Sequence, residues 1–410
     1  MSERLIYSEI ERTKNEMVTA LAEMIKIKAI APDSGGEGEY DRAEHLMDVI
    51  EKFNFDKVQR YDAPDERAKN GVRPNIVAIL DGKSKRKLWI ISHIDTVPEG
   101  DITLWNTDPF MPVIKDNKIY GRGAEDNGQA VIASLYAIGI LKRLNIEPEY
   151  TVGLAFVSDE EVGSKYGIKY LLEQNIFHKK DLILVPDHGE KDGLFIEIAE
   201  KSVLWLKITT YGKQVHASTP EEGVNAHRYG MNFALELDKL LHSEFGEKDE
   251  LFRPPYSTFE PTKKEPNVAN VNTIPGRDVI YFDCRILPKY NLDDIISFAN
   301  ELTKEFPDVK IEIEPVEKHQ APPGTDPNSD IVKLLKKVIK KVKGKEAQVG
   351  GIGGGTCAAE FREKGYNAVV WETIEGTAHQ PNEYAVIDNI LEDAKVFALT
   401  ATTPLEEEKK

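Results

Sequence analysis

Acidic and histidine residues follow several apolar segments of this sequence, at the points where buried strands are expected to end. One such segment closes in Ser92-His93-Ile94-Asp95. In a pair of this kind, His93 can bind a metal ion through one ring nitrogen while Asp95 fixes its tautomer from the other side. A single His-x-Asp pair is a weak signal, and alone it favours a structural or capping role.

A glycine-rich turn at residues 121–128, with the sequence GRGAEDNG, places Asp126 just before a long helical pattern. Taken alone, Asp126 is best explained as the N-cap of that helix. The alternative is that its two carboxylate oxygens bridge two cations.

A third apolar segment runs directly into Asp159-Glu160-Glu161. Adjacent acids at a strand end repel one another unless cations or protons offset their charge, so their clustering is informative. A solvated acidic loop explains this segment equally well. A fourth segment ends in Asp187-His188, where Asp187 is the better ligand candidate because it comes directly at the strand terminus.

The last candidate is His379, in a polar loop at residues 376–383. A surface histidine is the simpler explanation of this residue alone. Two histidines and several acids at successive strand ends nevertheless satisfy a two-metal site with oxygen and nitrogen ligands.

The chain has only Cys284 and Cys357, so a cysteine-rich metal site or disulfide framework is excluded, and a reducing compartment is expected.

The elements that must position these residues alternate between strand and helix. Apolar, β-branched runs predict strands at 74–80, 87–95, 150–158 and 181–187, and helical patterns at 127–144 and 164–174 lie between or after them. This alternation predicts an α/β fold with a mostly parallel sheet, whose carboxyl edge is where ligands bind.

From about residue 197 the pattern changes to strand, helix, two strands, helix and strand, which predicts a ferredoxin-like βαββαβ domain. A Pro-rich join at 321–324 leads back to further helices and a strand. The length of 410 residues also favours two domains. We therefore predict a larger domain at 1–196 and 318–410, with a smaller domain at 197–317 inserted into it. The predicted elements of the smaller domain are strand 202–211, helix 223–242, strands 268–273 and 278–287, helix 292–306 and strand 309–313.

The formal charge of −17, from 53 basic and 70 acidic residues, argues against nucleic acid or an anionic membrane as partner and favours a small molecule. The start of the chain lacks a secretory pattern, and no stretch is long and apolar enough to span a bilayer. We expect a cytoplasmic protein whose last residues, 406–410, are frayed.

In this combination the sequence resembles the zinc-dependent metallohydrolases that include acetylornithine deacetylase, succinyl-diaminopimelate desuccinylase, aminoacylase and carboxypeptidase G. The resemblance covers nearly the whole chain in order, including the inserted domain. It implies two divalent metal ions, zinc first and cobalt or manganese as alternatives, with a shared bridging ligand. The roles that it implies are a first ion on His93 and Asp187, a second on Glu161 and His379, Asp126 as the bridge, Asp95 orienting His93, and Glu160 as general base.

Residues 212–220 followed by 223–226 resemble the lid motif of this family. The resemblance implies that His216 stabilises the developing oxyanion and, in dimers formed through the inserted domain, reaches the site of the neighbouring subunit. The positions that resemble substrate-facing residues are Asn267, Asn272, Arg285, Gly354 and Thr356. For Arg285 a structural salt bridge is an equally good explanation.

Two segments depart from the family pattern. Residues 127–129 are Asn-Gly-Gln where many relatives have Met-Lys-Gly. Ala358 and Glu360 stand where desuccinylases have Asp and Arg, and the loss of an arginine that could clamp a carboxylate argues against succinyl-diaminopimelate as substrate.

Thr356 stands where a dinucleotide fingerprint needs its last glycine, which makes a nucleotide-dependent oxidoreductase a distant alternative.

The resemblance implies a di-metal amidohydrolase that cleaves the amide bond of an N-acyl amino acid or related small substrate, through a metal-bridging hydroxide and the Glu160 base. The first alternative is a metallo-exopeptidase, a dipeptidase or carboxypeptidase acting on short peptides. A non-catalytic metal-dependent binding protein is a further alternative, although such a protein has no need of a base like Glu160.

Overall fold

The structure is a computed structural model that describes residues 2–405. The expected fraying at 406–410 concerns residues outside this range. The helices are α1 (Ser2–Arg12), α2 (Lys14–Ile25), α3 (Tyr40–Glu51), α4 (Ala130–Arg143), α5 (Ile168–Glu173), α6 (Ala226–Glu244), α7 (Leu292–Leu302), α8 (Asp330–Lys343), α9 (Cys357–Glu363) and α10 (Ile387–Thr402).

The strands are β1 (Lys57–Pro64), β2 (Val72–Leu80), β3 (Ser84–His93), β4 (Val113–Lys115), β5 (Lys118–Tyr120), β6 (Tyr150–Val157), β7 (Leu182–Glu190), β8 (Phe195–Glu200), β9 (Ser202–Tyr211), β10 (Val215–His216), β11 (Thr258–Lys264), β12 (Thr273–Ile274), β13 (Arg277–Ile286), β14 (Lys310–His319), β15 (Gln348–Ile352), β16 (Ala368–Thr373) and β17 (Tyr384–Val386). No helix in the range 2–405 has the length and apolar character needed to cross a membrane.

The chain divides into two compact units. The first contains the chain up to Ile198, Thr325–Val349, and the chain from Thr356 onward. The second contains Ala199–Gly324 and Gly350–Gly355. The predicted insertion at 197–317 starts near this division, but it ends before the second unit does and leaves out the short glycine-rich segment.

An eight-stranded sheet dominates the first unit, with the order β1-β2-β6-β3-β7-β16-β8-β15. The four neighbours β6, β3, β7 and β16 run parallel, whereas β2 pairs antiparallel with β6 and β1 pairs antiparallel with β2. The sheet is therefore mixed, with its parallel part at the centre. Parallel strands end at a common edge, so the residues that follow β3, β6 and β7 are brought close together.

Continuous apolar runs form the central strands because both faces of the sheet are covered. All eight residues of β6 are buried. Trp89 of β3 lies opposite Gly153 of β6, and its indole packs among buried residues that include Ile183 and Phe361. This core fixes the strands whose ends carry the candidate site.

The second unit has the order strand, helix, strand, strand, helix, strand in β9, α6, β11, β13, α7 and β14. Its antiparallel sheet has the order β11-β13-β9-β14. Alternate residues of β9, Leu204, Leu206 and Ile208, share a buried core with Phe233 of α6 and Ile295 of α7. The alternation in β9 thus places one face of the sheet against the helices.

One predicted strand of this unit was wrong. We predict a strand at 268–273, but the second strand is β11 at Thr258–Lys264, and only Thr273–Ile274 pairs, as β12. Phe259 of β11 is fully buried in the core, whereas Val271 is fully exposed. The alternation of residues 267–272, Asn-Val-Ala-Asn-Val-Asn, is typical of a strand. Its apolar residues, however, have no core to pack against.

The contact between Gly153 and Trp89 gives a stability prediction. A Cβ atom added at Gly153 would lie 2.4 Å from two atoms of the Trp89 ring, so Gly153→Ala should destabilise the first unit by about 1–3 kcal/mol. Urea denaturation followed by circular dichroism measures this. Gly353→Ala is the matched control, because its added Cβ would meet no atom within 4 Å. Equal unfolding midpoints for the two variants would contradict the packing described.

Candidate metal centre

Five chain segments of the first unit deliver the predicted ligands. His93 is the last residue of β3, and Glu160 and Glu161 form a 3-10 turn directly after β6. Asp187 lies within β7, which continues to Glu190, three residues beyond the predicted end of the strand. Asp126 lies in the turn before α4, with a non-helical φ of −108° and ψ of 96°, and His379 lies in the loop before β17.

Asp126 lies between the two histidines. Its Oδ1 atom is 2.9 Å from Nε2 of His93, and its Oδ2 atom is 3.1 Å from Nε2 of His379. His93 Nε2 is also 3.3 Å from Oδ1 of Asp187, and His379 Nε2 is 3.0 Å from Oε2 of Glu161. Each carboxylate oxygen of Asp126 therefore contacts one histidine, and each of these histidines also contacts a second carboxylate.

The ligand atoms are close enough to share cations. Atoms of His93, Asp126 and Glu161 lie within 4.8 Å of one another, and so do atoms of His93, Glu160 and Asp187. Imidazole nitrogens and carboxylate oxygens are the donors that borderline and hard divalent ions accept. In addition, Oε1 of Glu161 is buried without a hydrogen-bond partner, which a cation would satisfy. The residues present thus fit a two-ion site.

The protonation of this cluster reflects the same crowding of charge. Burial lowers the pKa of His93, but the carboxylates of Asp187 and Asp126 outweigh burial, and the net pKa lies well above its usual value. Hydrogen bonds to Asp126 and Glu161 raise the pKa of His379 to about 10. Burial and the charge of Asp126 raise the pKa of Glu161 to about 7. Without cations, protons bind to these groups in their place.

Asp95 contacts both His93 and the acidic turn. Its carboxylate accepts hydrogen bonds from the backbone N–H groups of Glu160 at 3.1 Å and Glu161 at 3.0 Å. Nδ1 of His93 lies 3.2 Å from the carbonyl oxygen of Asp95 and 3.4 Å from its Oδ1 atom. The predicted role of orienting His93 therefore accounts for only part of what this side chain contacts, because Asp95 also anchors the turn.

Glu160 is the predicted base. Burial, followed by the charge of Asp187, raises the pKa of Glu160 well above its usual value. A carboxyl group with a raised pKa is suited to take up and release a proton near neutral pH. Atoms of Glu160, His93 and Asp187 lie within 4.8 Å of one another, so Glu160 is next to the candidate ligands.

Arg73 is a supporting residue that no sequence pattern predicts. It is fully buried on β2, and its Nη1 atom is 2.9 Å from Oδ1 of Asp159. Asp159 has a positive φ of 70° and starts the turn that carries Glu160. Arg73 thus fixes the start of that turn, and a lone arginine at a strand start carries no pattern that predicts such a role.

The predicted residues of the second unit form two groups. His216 is exposed on β10, which pairs with β12, and the backbone N–H of Ala217 donates to the carbonyl of Asn272 at 2.9 Å. Ser218 Oγ lies 2.7 Å from Nδ1 of His216. The structure therefore brings His216 and Asn272 together within this unit, whereas Asn267 donates to Asp278 at 2.7 Å.

Arg285 makes the salt bridge that was one of its two explanations. Its guanidinium donates to both oxygens of Asp283, at 2.7 and 3.0 Å, and also to the carbonyl of Gly353 at 3.1 Å. Arg285 thus contacts the glycine-rich segment that contains Gly354. Thr356, in the first unit, caps α9 by accepting from the N–H of Ala358 at 3.1 Å.

The two replacements on α9 have structural partners in the first unit. Ala358 is fully buried in the core beside the sheet. Glu360 is nearly buried, and its Oε1 atom lies 3.3 Å from Nζ of Lys169. In the other departure, Gln129 donates from Nε2 to the carbonyl of Thr373 at 2.7 Å. These contacts are structural and leave the ligand cluster intact.

Known proteins resemble this chain over most of its length. The profile of peptidase family M20/M25/M40 matches residues 89–403. An uncharacterized metallohydrolase of Methanocaldococcus jannaschii is 46% identical over 403 residues, covering 93% of this chain and 98% of that protein. A succinyl-diaminopimelate desuccinylase of Nitratiruptor sp. is 29% identical over 374 residues, covering 90% of this chain and 94% of that protein.

A solved structure shares the fold. Human carnosine dipeptidase 1 aligns with a TM-score of 0.77 at 17% identity, covering 98% of each chain. The resemblance inferred from the motifs is confirmed at the level of the family. The chain belongs to peptidase family M20/M25/M40 and is a metal-dependent hydrolase of that family.

Proposed function

We propose that this protein is a two-metal deacylase that hydrolyses the amide bond of an N-acyl amino acid or a related small substrate. The observation that carries the proposal is the position of Asp126 between the pairs His93–Asp187 and Glu161–His379, with Glu160 beside them. One ion would be held by each pair, and Asp126 would serve both. We propose zinc as the ion, with cobalt and manganese as alternatives that the same donor atoms accept.

Two divalent ions bound here would supply Lewis acidity that polarises the amide carbonyl and acidifies water. Glu160 would accept the proton of the attacking water and return it to the leaving amine. Asp95 would keep Glu160 in place through the backbone of the acidic turn. The partly buried position of Glu160, beside His93 and Asp187, allows it to hold that proton in transit.

The two units would have different roles. The first unit would be the catalytic domain, and the second would be a ferredoxin-like lid and dimerisation domain, a proposal supported by its β9-α6-β11-β13-α7-β14 order and its sheet order. His216 would donate to the oxyanion of the tetrahedral intermediate. Because Ser218 engages Nδ1 of this exposed ring, Nε2 is the nitrogen that would donate.

We further propose that the enzyme acts as a homodimer in the cytoplasm. The resemblance to dimeric relatives supports the first statement. The second is supported by Cys284 and Cys357, which are both buried free thiols and therefore suit a reducing compartment.

An exopeptidase acting on dipeptides or peptide termini is the alternative, because the same ligands serve both reactions. A relative named as a desuccinylase supports the deacylase. Against a succinyl substrate, Ala358 is a core residue and Glu360 pairs with Lys169, so neither would bind a substrate carboxylate. A substrate panel read by mass spectrometry separates the alternatives: N-acyl amino acids, dipeptides, and peptides with blocked carboxyl ends. Exclusive cleavage of peptides would overturn the deacylase proposal.

The role of Glu160 gives the first prediction. Glu160→Gln should lower kcat by about 10²- to 10⁴-fold on every accepted substrate, because the proton acceptor is lost, while both ions are retained. Metal content by mass spectrometry and steady-state kinetics measure the two effects. Glu173→Gln, a change of an exposed glutamate on α5, is the control and should leave kcat unaltered. Near-normal turnover by Glu160→Gln would remove this residue from the mechanism.

The role of His216 gives a second prediction. His216→Ala should lower kcat by about 10²- to 10³-fold, as the loss of one oxyanion donor does, without altering the metal content. His242→Gln changes another exposed histidine of the second unit and should have no such effect. An unchanged kcat in His216→Ala would reject its proposed role as oxyanion donor.

Metal binding should be coupled to proton release. His379, with a pKa of about 10, carries a proton near neutral pH in the metal-free protein, and a ring nitrogen must lose its proton to bind an ion. Binding of Co²⁺ at about pH 7.5 should therefore release protons, and the apparent affinity should rise as the pH is raised toward 10. Calorimetry in buffers of different ionisation enthalpy counts the protons. Binding without proton release would contradict the protonation described for the cluster.

A further inference from the structure

Two loops of the first unit carry one candidate metal ligand and one buried glutamate each. The first loop, residues 121–126, contains Glu125 and Asp126. The second, residues 375–383, contains His379 and Glu383. Neither glutamate was selected from the sequence. Glu383 is fully buried and Glu125 nearly so, which means that their carboxylates must find partners inside the protein.

Glu383 binds the backbone of the first loop. Its Oε1 atom accepts hydrogen bonds from the N–H groups of Glu125 at 3.0 Å and Asp126 at 3.1 Å. Its Oε2 atom accepts from the N–H of Gly123 at 3.1 Å and from Nη1 of Arg122 at 2.6 Å. Four donors from one short loop therefore converge on a single carboxylate, and one of them belongs to the proposed bridging ligand.

Glu125 binds the backbone of the second loop in the same way. Its Oε1 atom accepts from the N–H of Glu375 at 2.5 Å. Its Oε2 atom accepts from the N–H and the hydroxyl of Thr377, the latter at 2.9 Å, and from the N–H of Ala378 at 3.1 Å. Ala378 is the residue immediately before His379, so this carboxylate fixes the approach of the chain to that ligand.

Backbone pairing ties the two loops together beside these carboxylates. The N–H of Gly121 donates to the carbonyl of Glu383 at 2.9 Å, and Tyr384 of β17 pairs with Tyr120 of β5. The loops are thus antiparallel neighbours at their outer ends. Closer to the candidate metal centre, the glutamate hydrogen bonds described above hold them.

We propose that Glu125 and Glu383 form a reciprocal carboxylate clamp. Glu383 holds the loop that carries Asp126, and Glu125 holds the loop that carries His379. The proposal rests on the two-ion site of the proposed function. Both glutamates are positioning residues: they set the distance between Asp126 and His379 and touch neither substrate nor ion. An ion that binds both Asp126 and His379 depends on both halves of the clamp.

The two halves have unequal consequences. Glu125 holds the loop of His379, which serves one ion, whereas Glu383 holds Asp126, which serves both. Loss of Glu125 should therefore weaken one of the two ions, and loss of Glu383 should weaken both. A glutamine in either position places an amide N–H₂ among backbone N–H donors while the volume is conserved. At least one hydrogen bond is then lost at residue 125 and at least two at residue 383.

The test is a titration of the metal-free full chain with Co²⁺ alone, followed by visible absorption and by metal content after dialysis. The wild type should bind two ions. Glu125→Gln should bind one ion with wild-type affinity and the other about 10- to 100-fold more weakly, with a weaker or shifted absorption band. Glu383→Gln should lose about 10- to 100-fold in affinity for both ions.

Asp181→Asn is the matched control. This buried carboxylate also accepts from backbone N–H groups, those of Lys87 at 3.1 Å and His178 at 2.9 Å. Lys87 lies six residues before His93 on β3, about 20 Å away by the rise of a strand. The variant should lose stability and keep both ions with wild-type affinity and spectrum.

Thr377→Val is a milder variant that removes one donor to Glu125 and keeps the shape of the side chain. It should weaken one ion several-fold, and it serves as the test if Glu125→Gln does not fold. Two ions bound with wild-type affinity and spectrum by Glu125→Gln and Thr377→Val would overturn the clamp and leave the two-ion site standing. A wild type that binds fewer than two ions would overturn the site and the clamp together.

Discussion

The central constraint on this protein is the concentration of negative charge around the carboxylate of Asp126. Asp126, Asp187, Glu160 and Glu161 lie within reach of His93 and His379, and they carry four negative charges when ionised. Burial makes such charge costly unless it is neutralised. Two divalent cations would supply the four positive charges that balance it. Without them, protons on the histidines and glutamates reduce the imbalance, as the raised pKa values of Glu161 and His379 show.

The fold holds these groups together by fixing the backbone on every side of the cluster. The parallel strands β6, β3 and β7 bring their ends to one edge, and their fully buried residues keep that edge rigid. Asp95 and Arg73 then hold the acidic turn through its N–H groups and through Asp159. Each support is a buried charge with several donors or acceptors, so its hydrogen bonds are strong and their geometry is well defined.

Much of the site could be predicted from sequence because its ligands follow a rule of chain geometry. His93, Glu161 and Asp187 each come at or beside the end of an apolar strand, and the carboxyl ends of parallel strands meet. Asp126 and His379 do not follow this rule, since an N-cap and a surface histidine are common explanations of such residues. Their assignment needed the joint pattern and the family resemblance, and the structure brings both within 3.1 Å of each other.

What could not be predicted depends on contacts between distant segments. Glu125 and Glu383 bind backbone N–H groups, which every residue but proline offers, so no sequence pattern reveals their partners. The prediction of a strand at 268–273 was wrong for a related reason. Alternation indicates a strand only where the apolar residues pack against a core, and in this unit Phe259 of β11 packs there instead. The role of Arg285 could not be assigned from the sequence because Asp283, two residues away, offers the guanidinium a carboxylate partner, as a substrate would.

The proposed site requires above all that two ions share Asp126. Anomalous X-ray diffraction from crystals of the zinc-loaded protein, recorded on both sides of the zinc absorption edge, tests this without an assay. If Asp126 is shared, we expect two anomalous peaks, one between Asp126 and the pair His93–Asp187 and the other between Asp126 and the pair Glu161–His379. A single peak at full zinc loading, or peaks that Asp126 does not join, would contradict it.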